Sequence, residues 1–207
     1  MATDSGRRRI GIYGGSFDPI HLGHLLLAET CREACLLDEV WFLPCANPPH
    51  KPEGSLTPGK LRAEMIELAI AGNPGFGVCH IELERSGPSF TVETLRQLSE
   101  LHPTTEFSFL MGADSLTDLP LWREPRTILE LAEVVAVNRG RQAPPNLDAL
   151  ENRLGTATRE RVKLVTMPAI DISATDLRQR VRTNRSTRYR IPRAVEVYIS
   201  QHGLYRD

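Results

Sequence analysis

The amino-acid sequence predicts a single α/β domain, built on a doubly wound and mostly parallel β-sheet with helices on both faces. Short apolar runs typical of strands alternate with segments of helical periodicity along most of the chain. The 207 residues are 41% hydrophobic and 25% charged, which suffices for one substantial core. We expect one domain over residues 1–207, with an α/β core at 9–167 and a small C-terminal helical part at 168–207.

Six short segments are predicted as strands because they are apolar and rich in β-branched or aromatic residues. They comprise residues 9–13, 39–43, 77–81, 106–111, 133–137 and 162–166. Helical periodicity predicts helices at residues 22–35, 58–71, 91–101, 146–157, 172–182 and 192–202. Proline and glycine content indicates loops at residues 44–58 and 140–145, and the arginine-rich residues 183–190 form either a mobile loop or a solvated connector.

The most informative stretch, residues 14–24, reads Gly-Gly-Ser-Phe-Asp-Pro-Ile-His-Leu-Gly-His and follows the first predicted strand. Gly14 and Gly15 allow a sharp turn and a close approach of backbone to ligand. His21 and His24 are three residues apart, so they project from one face at the start of the next helix. The free N–H groups of a helix start favour an anion. This pattern predicts a polyphosphate site at a strand-to-helix turn.

Two other interpretations of the same residues remain open. Histidines at this spacing could ligate a metal, with Asp18 as the obvious local partner, although zinc requires more strong ligands. They could also be ordinary helix-start residues beside a simple glycine turn. The complete eleven-residue constellation favours the phosphate site over both.

Composition excludes several classes of function. The formal net charge is −1, so no broad basic field indicates nucleic acid as a partner. No apolar run approaches the roughly 18 residues of a membrane span, and no secretory signal is recognisable. The four cysteines include no C-x-x-C pair and lie in apolar surroundings: Cys31, Cys35, Cys45 and Cys79. We expect no structural disulfide in a reducing compartment, the cytoplasm. Cys31 and Cys35 also have a spacing compatible with metal binding, but small buried hydrophobes are the favoured interpretation.

A second motif lies about 150 residues after the first. The first motif resembles the G-x-F-x-P-x-H-x-G-H signature of the nucleotidylyltransferase superfamily. Residues 172–178, Ile-Ser-Ala-Thr-Asp-Leu-Arg, resemble its second signature, I-S-S-T-x-I-R, with departures at Ala174 and Leu177. Two motifs in the right order are far more specific than either alone. The resemblance implies a Rossmann-like fold and transfer of a nucleotidyl group from a nucleoside triphosphate.

The resemblance also implies roles for individual residues. His21 and His24 would contact the ATP phosphates, with His24 stabilising the α-phosphoryl transition state. Arg178, with Ser173 and Thr175, would hold the β- and γ-phosphates at the start of a helix. His21, His24 and Arg178 are therefore the predicted catalytic residues. The glycine turn and its neighbours would complete the ATP site: Gly14, Gly15, Ser16, Phe17 and Asp18.

Segments between the two motifs indicate the acceptor. They are Asn-Pro-Pro-His-Lys at 47–51, Ser-Phe-Thr-Val-Glu-Thr-Leu at 89–95, Gly-Ala-Asp-Ser at 112–115, Leu-Pro-Leu-Trp at 119–122 and Asn-Arg-Gly at 138–140. Together they resemble the bacterial nicotinate-nucleotide adenylyltransferase family over essentially the whole chain. Phe90 departs from the tyrosine common at that position, which removes a hydroxyl but keeps the ring. The resemblance implies that the acceptor is nicotinate mononucleotide.

The predicted acceptor residues each have a structural alternative. Trp122 would stack on the pyridine ring, or it covers the core. Phe90 and Thr91 would receive the nicotinate carboxylate at a helix start, although Thr91 could instead be only an N-cap, and both roles can coexist. Asn47, His50 and Lys51 would face the acceptor phosphate, or Lys51 is merely exposed.

Three further residues are predicted near ATP. Asp114, after Gly112, would hydrogen-bond a ribose hydroxyl by analogy with dinucleotide folds, with a helix N-cap as the rival role. Arg139 would lie near the adenosine or its phosphates at the same sheet edge. Mg²⁺ is implied as the companion of ATP. No protein ligand for it is firm, and Asp18 could either contact it through water or cap the following turn.

The predicted partners are ATP and nicotinate mononucleotide, with neither nucleic acid nor membrane, and a homo-oligomer is left open. Alternative acceptors are nicotinamide mononucleotide and pantetheine phosphate. From another class of function, a nucleotide-sensing module would bind without turnover.

Overall fold

The structure is a computed structural model that describes residues 6–48, 55–140, 145–156 and 158–206. Its strands are β1 (Arg8–Gly15), β2 (Glu39–Pro44), β3 (Phe76–Val78), β4 (Thr105–Gly112), β5 (Glu133–Arg139) and β6 (Val162–Met167). Its helices are α1 (Leu22–Ala34), α2 (Gly59–Ile70), α3 (Thr91–Leu101), α4 (Ala113–Leu116), α5 (Pro125–Leu131), α6 (Leu147–Leu154), α7 (Thr158–Arg161), α8 (Ala174–Arg182) and α9 (Arg193–Gln201), with a 3₁₀ turn at Leu119–Leu121.

The six strands form one sheet in the order β3-β2-β1-β4-β5-β6, and every neighbouring pair is parallel. The prediction of a doubly wound, mostly parallel sheet is therefore confirmed. The strand order reverses direction between β1 and β4, and ligands of such sheets bind at the carboxyl edge beside that point.

Two hydrophobic cores cover the two faces of the sheet, because alternate residues of a strand point to opposite sides. Ile10 and Ile12 of β1 pack in the core that receives α3, α5 and α6, whereas Tyr13 packs with α1, α2, α8 and α9. The central strands are apolar on both sides, as expected for a parallel sheet covered by helices. None of the helices within the described ranges is long and apolar enough to cross a membrane.

The structure corrects several predicted elements. β3 ends at Val78 rather than at residue 81, because the chain then turns back on itself with Leu83 N–H donating to His80 O at 2.8 Å. The helix predicted over 146–157 is shorter, ending at Leu154 with Gly155 at a φ of 103°. Four short elements were not predicted, namely α4, the 3₁₀ turn, α5 and α7. Each is too short for its periodicity to stand out.

Candidate active site

The first motif forms the turn between β1 and α1 at the carboxyl edge of the sheet. β1 ends at Gly15, and α1 begins after a turn that includes a cis Asp18–Pro19 peptide bond. Phe17 has a φ of 47°, a left-handed conformation that bulky residues rarely adopt. A Cβ on Gly15 would come within 2.9 Å of the Phe17 ring, so glycine is required there. The Phe17 ring therefore packs against Gly15 of the same turn.

The two motif histidines form a stacked pair at the start of α1. Their ring centroids are 3.6 Å apart and their planes differ by 18°. His21 is the N-cap residue of α1, and its backbone N–H donates to Nδ1 of His24 at 3.2 Å. Because Nδ1 accepts, a neutral His24 carries its proton on Nε2. The Phe17 ring meets His24 edge-on at 5.1 Å and helps to fix its orientation.

Both imidazoles are neutral at pH 7. Burial, assisted by the positive charge of Arg139, lowers the pKa of His21 from 6.5 to about 4. Burial, followed by the influence of His21 and Arg139, lowers the pKa of His24 well below 6.5. Nδ1 of His21 is buried at the start of α1, where His21 and His24 form a capping box.

We expect the protein to lose stability as the pH falls from about 6.5 to about 4. In this window His21 of the unfolded chain takes up a proton, whereas folded His21, with a pKa of about 4, stays neutral. The unfolded state then binds more protons, so His21 alone removes up to about 3 kcal/mol from the free energy of unfolding. Denaturant unfolding across this pH range measures the effect. A His21→Asn variant should show a shallower fall, and equal slopes in the two proteins would contradict the assignment.

The second motif lies against the first. Ser173 is the N-cap of α8, and its Oγ accepts the backbone N–H of Asp176 at 3.1 Å. Arg178 donates from Nη1 to the carbonyl oxygen of Asp18 at 2.7 Å and from Nη2 to Oγ1 of Thr175 at 3.4 Å. Positions 160 residues apart in the sequence are therefore in direct contact. The start of α8 is held beside the glycine turn and the histidine pair.

Asp18 joins three parts of the chain. It is 2% exposed, and its Oδ1 accepts the hydroxyl of Tyr205 at 2.6 Å while its Oδ2 accepts the backbone N–H of Thr57 at 3.3 Å. Burial and this carboxylate raise the pKa of Tyr205 well above 10. The alternative that Asp18 caps the following turn is wrong, because His21 is the N-cap of α1 and both carboxylate oxygens bond to distant residues.

A buried arginine behind the first motif was not predicted. Arg62 of α2 is 1% exposed and bonds to three backbone carbonyl oxygens: Nε to Thr57 at 2.7 Å, Nη1 to Ser16 at 2.8 Å and Nη2 to Cys45 at 2.6 Å. Its planar fork of donors suits several acceptors at once. Arg62 therefore fixes the glycine turn relative to the segments that follow β2 and precede α2.

A cavity of about 250 Å³ opens beside the first motif. Its lining includes Gly14 and Gly15 of the motif and three of the predicted acceptor residues, Phe90, Thr91 and Trp122. The structure thus brings the middle segments of the chain to the glycine turn. The other lining residues were not predicted, and most are apolar: Leu43, Cys45, Glu82, Ser89, Phe109, Leu121, Arg123 and Ile128.

Trp122 and Arg123 form one wall of the cavity. Trp122 is half-buried and meets Phe109 edge-on, with ring centroids 6.0 Å apart. The guanidinium of Arg123 lies 4.8 Å above the Phe90 ring and donates to the carboxylate of Glu93 at 2.8 Å. Nε of Arg123 also lies 3.8 Å from the carboxylate of Glu124, so the wall offers an aromatic face and an ion-paired guanidinium. An arginine directly after the tryptophan was the signal in the sequence that could have indicated this residue.

The start of α3, which Arg123 contacts, also lines the cavity. Phe90 is the N-cap and Thr91 is the first helical residue, so the N-cap alternative for Thr91 is wrong. The first N–H groups of a helix have no acceptor within it and are available to a ligand. Glu82, 5% exposed, accepts the hydroxyl of Thr94 at 2.7 Å. A buried carboxylate therefore also borders the cavity, and no motif in the sequence indicates it.

The residues predicted around the acceptor phosphate are only partly described. His50 and Lys51 lie outside the described residues. The side-chain Nδ2 of Asn47 donates to the carbonyl oxygen of Gly87 at 3.2 Å. The backbone N–H of Asn47 donates to Oγ of Ser89 at 3.2 Å, and its carbonyl oxygen accepts the backbone N–H of Ser89 at 2.9 Å. Asn47 thus ties the segment after β2 to the segment before α3, and its contact with the acceptor phosphate stays a prediction.

The remaining predicted ATP residues end neighbouring strands. Gly112 ends β4 and is the N-cap of α4, so the N-cap alternative for Asp114 is wrong. Asp114 is exposed, and its Oδ1 accepts the backbone N–H of Ser115 at 3.0 Å. Arg139 ends β5, and its positive charge contributes to the lowered pKa of both motif histidines. All three residues lie at the carboxyl edge.

The fold and the two converging phosphate motifs define a nucleotidyltransferase. Residues 12–180 match the family model described as cytidylyltransferase-like, and the chain belongs to that family. Solved structures share the fold: the Plasmodium falciparum nicotinic acid mononucleotide adenylyltransferase complexed with NaAD superposes with a TM-score of 0.77, at 24% identity and over 96% of this chain and 97% of the other.

Curated relatives define the family more narrowly. Probable nicotinate-nucleotide adenylyltransferases from Thermomicrobium roseum and Thermus thermophilus are each 46% identical over 96% of this chain, covering 92% and 100% of the relatives. A probable member from Salinibacter ruber is 42% identical over 95% of this chain and 97% of the relative. The chain is a member of the nicotinate-nucleotide adenylyltransferase family.

Proposed function

We propose that this protein transfers the adenylyl group of ATP to nicotinate mononucleotide, giving nicotinate adenine dinucleotide and pyrophosphate. An oxygen of the acceptor phosphate attacks the α-phosphorus of ATP, and the bond from that phosphorus to the oxygen bridging to the β-phosphorus breaks. The meeting of two phosphate motifs beside an aromatic cavity supports this proposal most directly. Because the reaction uses ATP, we propose that the protein acts in the cytoplasm.

No protein nucleophile is required, so catalysis rests on positioning and charge stabilisation. Nε2 of His24 carries a proton when the ring is neutral and can donate it in a hydrogen bond to an α-phosphate oxygen. The low pKa values of both imidazoles describe the protein alone, and a bound triphosphate would raise them by attraction. In our proposal His24 therefore stabilises the charge that develops on the α-phosphoryl group.

The start of α8 is proposed to hold the leaving pyrophosphate. Arg178 reaches the glycine turn, and the first N–H groups of α8 are free to bind an anion. Ser173 accepts a backbone N–H through Oγ, which leaves its hydroxyl proton available to a phosphate oxygen. Thr175 lies 3.4 Å from the guanidinium and orients it. Ala174, where the superfamily usually has serine, removes one hydroxyl but keeps the backbone donors.

Mg²⁺ is proposed to enter with ATP. When bound, it neutralises part of the triphosphate charge before an anionic acceptor attacks. Within the described ranges no three His, Cys, Asp or Glu side chains gather as a metal site, and both oxygens of Asp18 already accept hydrogen bonds. Mg²⁺ commonly keeps several waters and relies on substrate phosphates. We therefore assign its ligands to ATP and water, with any contact from Asp18 through water.

The acceptor is proposed to lie in the 250 Å³ cavity. Its pyridine ring stacks on Trp122, and its carboxylate faces the start of α3 and the guanidinium of Arg123. Two structural neighbours, both from Plasmodium falciparum, are described as complexed with NaAD and with APC. Their ligands support nucleotides as the substrates in this proposal.

The rival functions are separated by one assay. We measure pyrophosphate release from ATP and Mg²⁺ with nicotinate mononucleotide, nicotinamide mononucleotide or pantetheine phosphate under equal conditions. Hydrogen-bond donors that suit the carboxylate of nicotinate mononucleotide would meet the NH₂ group of nicotinamide mononucleotide, which is itself a donor. We therefore expect nicotinate mononucleotide to have the highest kcat/KM. Equal efficiency with the amide would refute the preference. Binding of ATP without pyrophosphate release from any acceptor would support the nucleotide-sensing module.

Trp122→Ala is expected to weaken the binding of the acceptor more than the binding of ATP. Loss of the stacking face should raise the KM for nicotinate mononucleotide about tenfold or more, because an aromatic contact of this kind contributes about 1–3 kcal/mol. Trp122→Phe, which keeps an aromatic ring, is the matched control, and its KM for nicotinate mononucleotide should lie closer to that of the wild type. If Trp122→Ala raised the KM for ATP instead, the placement of the acceptor ring would be wrong.

A further inference from the structure

Positive charge is concentrated at the C-terminal end of the chain. Residues 178–207 contain eight arginines and two acidic residues, a net charge of +6, although the whole chain carries −1. The remainder therefore carries −7. Of these eight arginines, only Arg178 has a role in the proposed reaction. Such asymmetry indicates an anionic partner for the C-terminal region.

Three of these arginines line one cleft. Arg185, Arg188 and Arg206 border a cleft of about 510 Å³ at the C-terminal end of α8, together with the hydroxyl-bearing Ser186 and Ser200. This volume is within the range of small-molecule sites. The phosphate motif lies at the opposite end of α8, and a nine-residue helix is about 13 Å long. The cleft is thus separate from the active site.

The three guanidiniums of the cleft form no ion pair with a carboxylate within the described part of the chain. Arg185 donates from Nε to Oγ1 of Thr183 at 3.1 Å, and Arg206 donates from Nη2 to Oγ of Ser200 at 3.4 Å. Glu196, the acidic residue of the lining, forms an ion pair with Arg193 instead. Asp176 interacts with Arg185 electrostatically but forms its ion pair with Arg180, so the positive charge of the cleft is offset only in part.

Hydrogen bonds hold the loop that presents these charges. The backbone N–H of Arg185 donates to the carbonyl oxygen of Arg180 at 2.7 Å, and Nη1 of Arg180 donates to the carbonyl oxygen of Ser186 at 3.3 Å. The backbone N–H of Arg188 donates to Oγ of Ser186 at 3.2 Å. Asn184, at a φ of 52°, sets the turn. Like charges held together in this way repel one another, and a bound anion would offset that cost.

We propose that this cleft binds a small molecule bearing two or more phosphate groups. Guanidinium groups donate paired hydrogen bonds that match phosphate oxygens, and the hydroxyls of Ser186 and Ser200 add neutral donors. A polyphosphate fits better than a single phosphate because three positive charges border the cleft. The binding is independent of adenylyl transfer.

Isothermal titration of the full chain with inorganic tripolyphosphate tests the proposal. The wild type should bind tripolyphosphate at the cleft in addition to the active site. Arg185→Gln combined with Arg188→Gln should weaken the cleft site about 100-fold, about tenfold for each guanidinium removed, which corresponds to about 1.4 kcal/mol each. Arg178→Gln, which alters the active site, should leave the cleft site intact.

Arg7→Gln combined with Arg153→Gln is the matched control, because it removes the same charge from two exposed arginines outside the cleft. Identical isotherms for this protein and the cleft variant would overturn the proposal. The cleft variant should keep its adenylyl transfer and its melting temperature, which excludes misfolding as the cause of lost binding. A single-stranded oligoribonucleotide that binds the cleft and is not displaced by tripolyphosphate would also overturn it, in favour of a nucleic-acid surface.

Discussion

His24→Ala should lower turnover about 10²- to 10³-fold while the protein stays folded. In the proposed reaction the imidazole donates from Nε2 to the α-phosphoryl group as charge develops, and alanine offers no donor. The variant also leaves the backbone N–H of His21 without its acceptor, which costs about 1 kcal/mol of stability. Steady-state pyrophosphate release and thermal unfolding measure the two effects separately.

His24→Asn is the informative companion. Its side-chain oxygen can still accept the N–H of His21, so its stability should lie closer to the wild type, while the imidazole is absent. A loss of turnover similar to that of His24→Ala would assign the effect to the missing imidazole rather than to a disturbed helix start. Normal turnover in His24→Ala would remove the transition-state role.

Arg62→Met is expected to be the most destabilising single substitution considered for this protein. Three backbone carbonyl oxygens lose their donor in a site that is 1% exposed. Buried acceptors without partners cost about 1–3 kcal/mol each, so we expect a loss of about 3–5 kcal/mol in the free energy of unfolding. Denaturant unfolding monitored by circular dichroism gives the value.

Arg62→Lys should have a stability between those of the wild type and Arg62→Met. An ammonium group is compact and cannot reach three separated carbonyl oxygens as the planar guanidinium does. Arg153→Met, at an exposed position, should change stability by less than about 0.5 kcal/mol. A loss below about 1 kcal/mol in Arg62→Met would show that water or neighbouring donors take over the three carbonyls. Arg62 would then not fix the glycine turn.

The strands were predictable because their signal is local. β2, β5 and β6 begin at residues 39, 133 and 162, as the apolar runs indicate. β3 was placed too far along the chain, since the apolar residues up to Ile81 continue past the last ladder contact at Val78. A run of apolar residues indicates that a segment is buried, and a segment can stay buried after its strand hydrogen bonds have ended. The apolar run therefore does not mark the end of the strand.

The meeting of the two motifs in the candidate site was predictable, because each motif has a recognisable spacing. His21, His24 and Arg178 occupy fixed spacings within two signatures, and the structure brings those signatures together. Arg62 gave no comparable signal, because a lone arginine on a helix is usually exposed and its three acceptors come from separate segments. Glu82 and Arg123 are likewise defined by the cavity they border, and a cavity is a property of the assembled fold.

The contact of Arg178 and Tyr205 with Asp18 has a consequence for biosynthesis. The first motif precedes these two partners of its aspartate by 160 and 187 residues, so it is synthesised long before them. A nascent chain can pair its early strands and still lack the groups that complete the proposed ATP site. In that proposal catalytic competence arises only after Tyr205 has been synthesised, and pyrophosphate release is a stricter report of complete folding than secondary structure is.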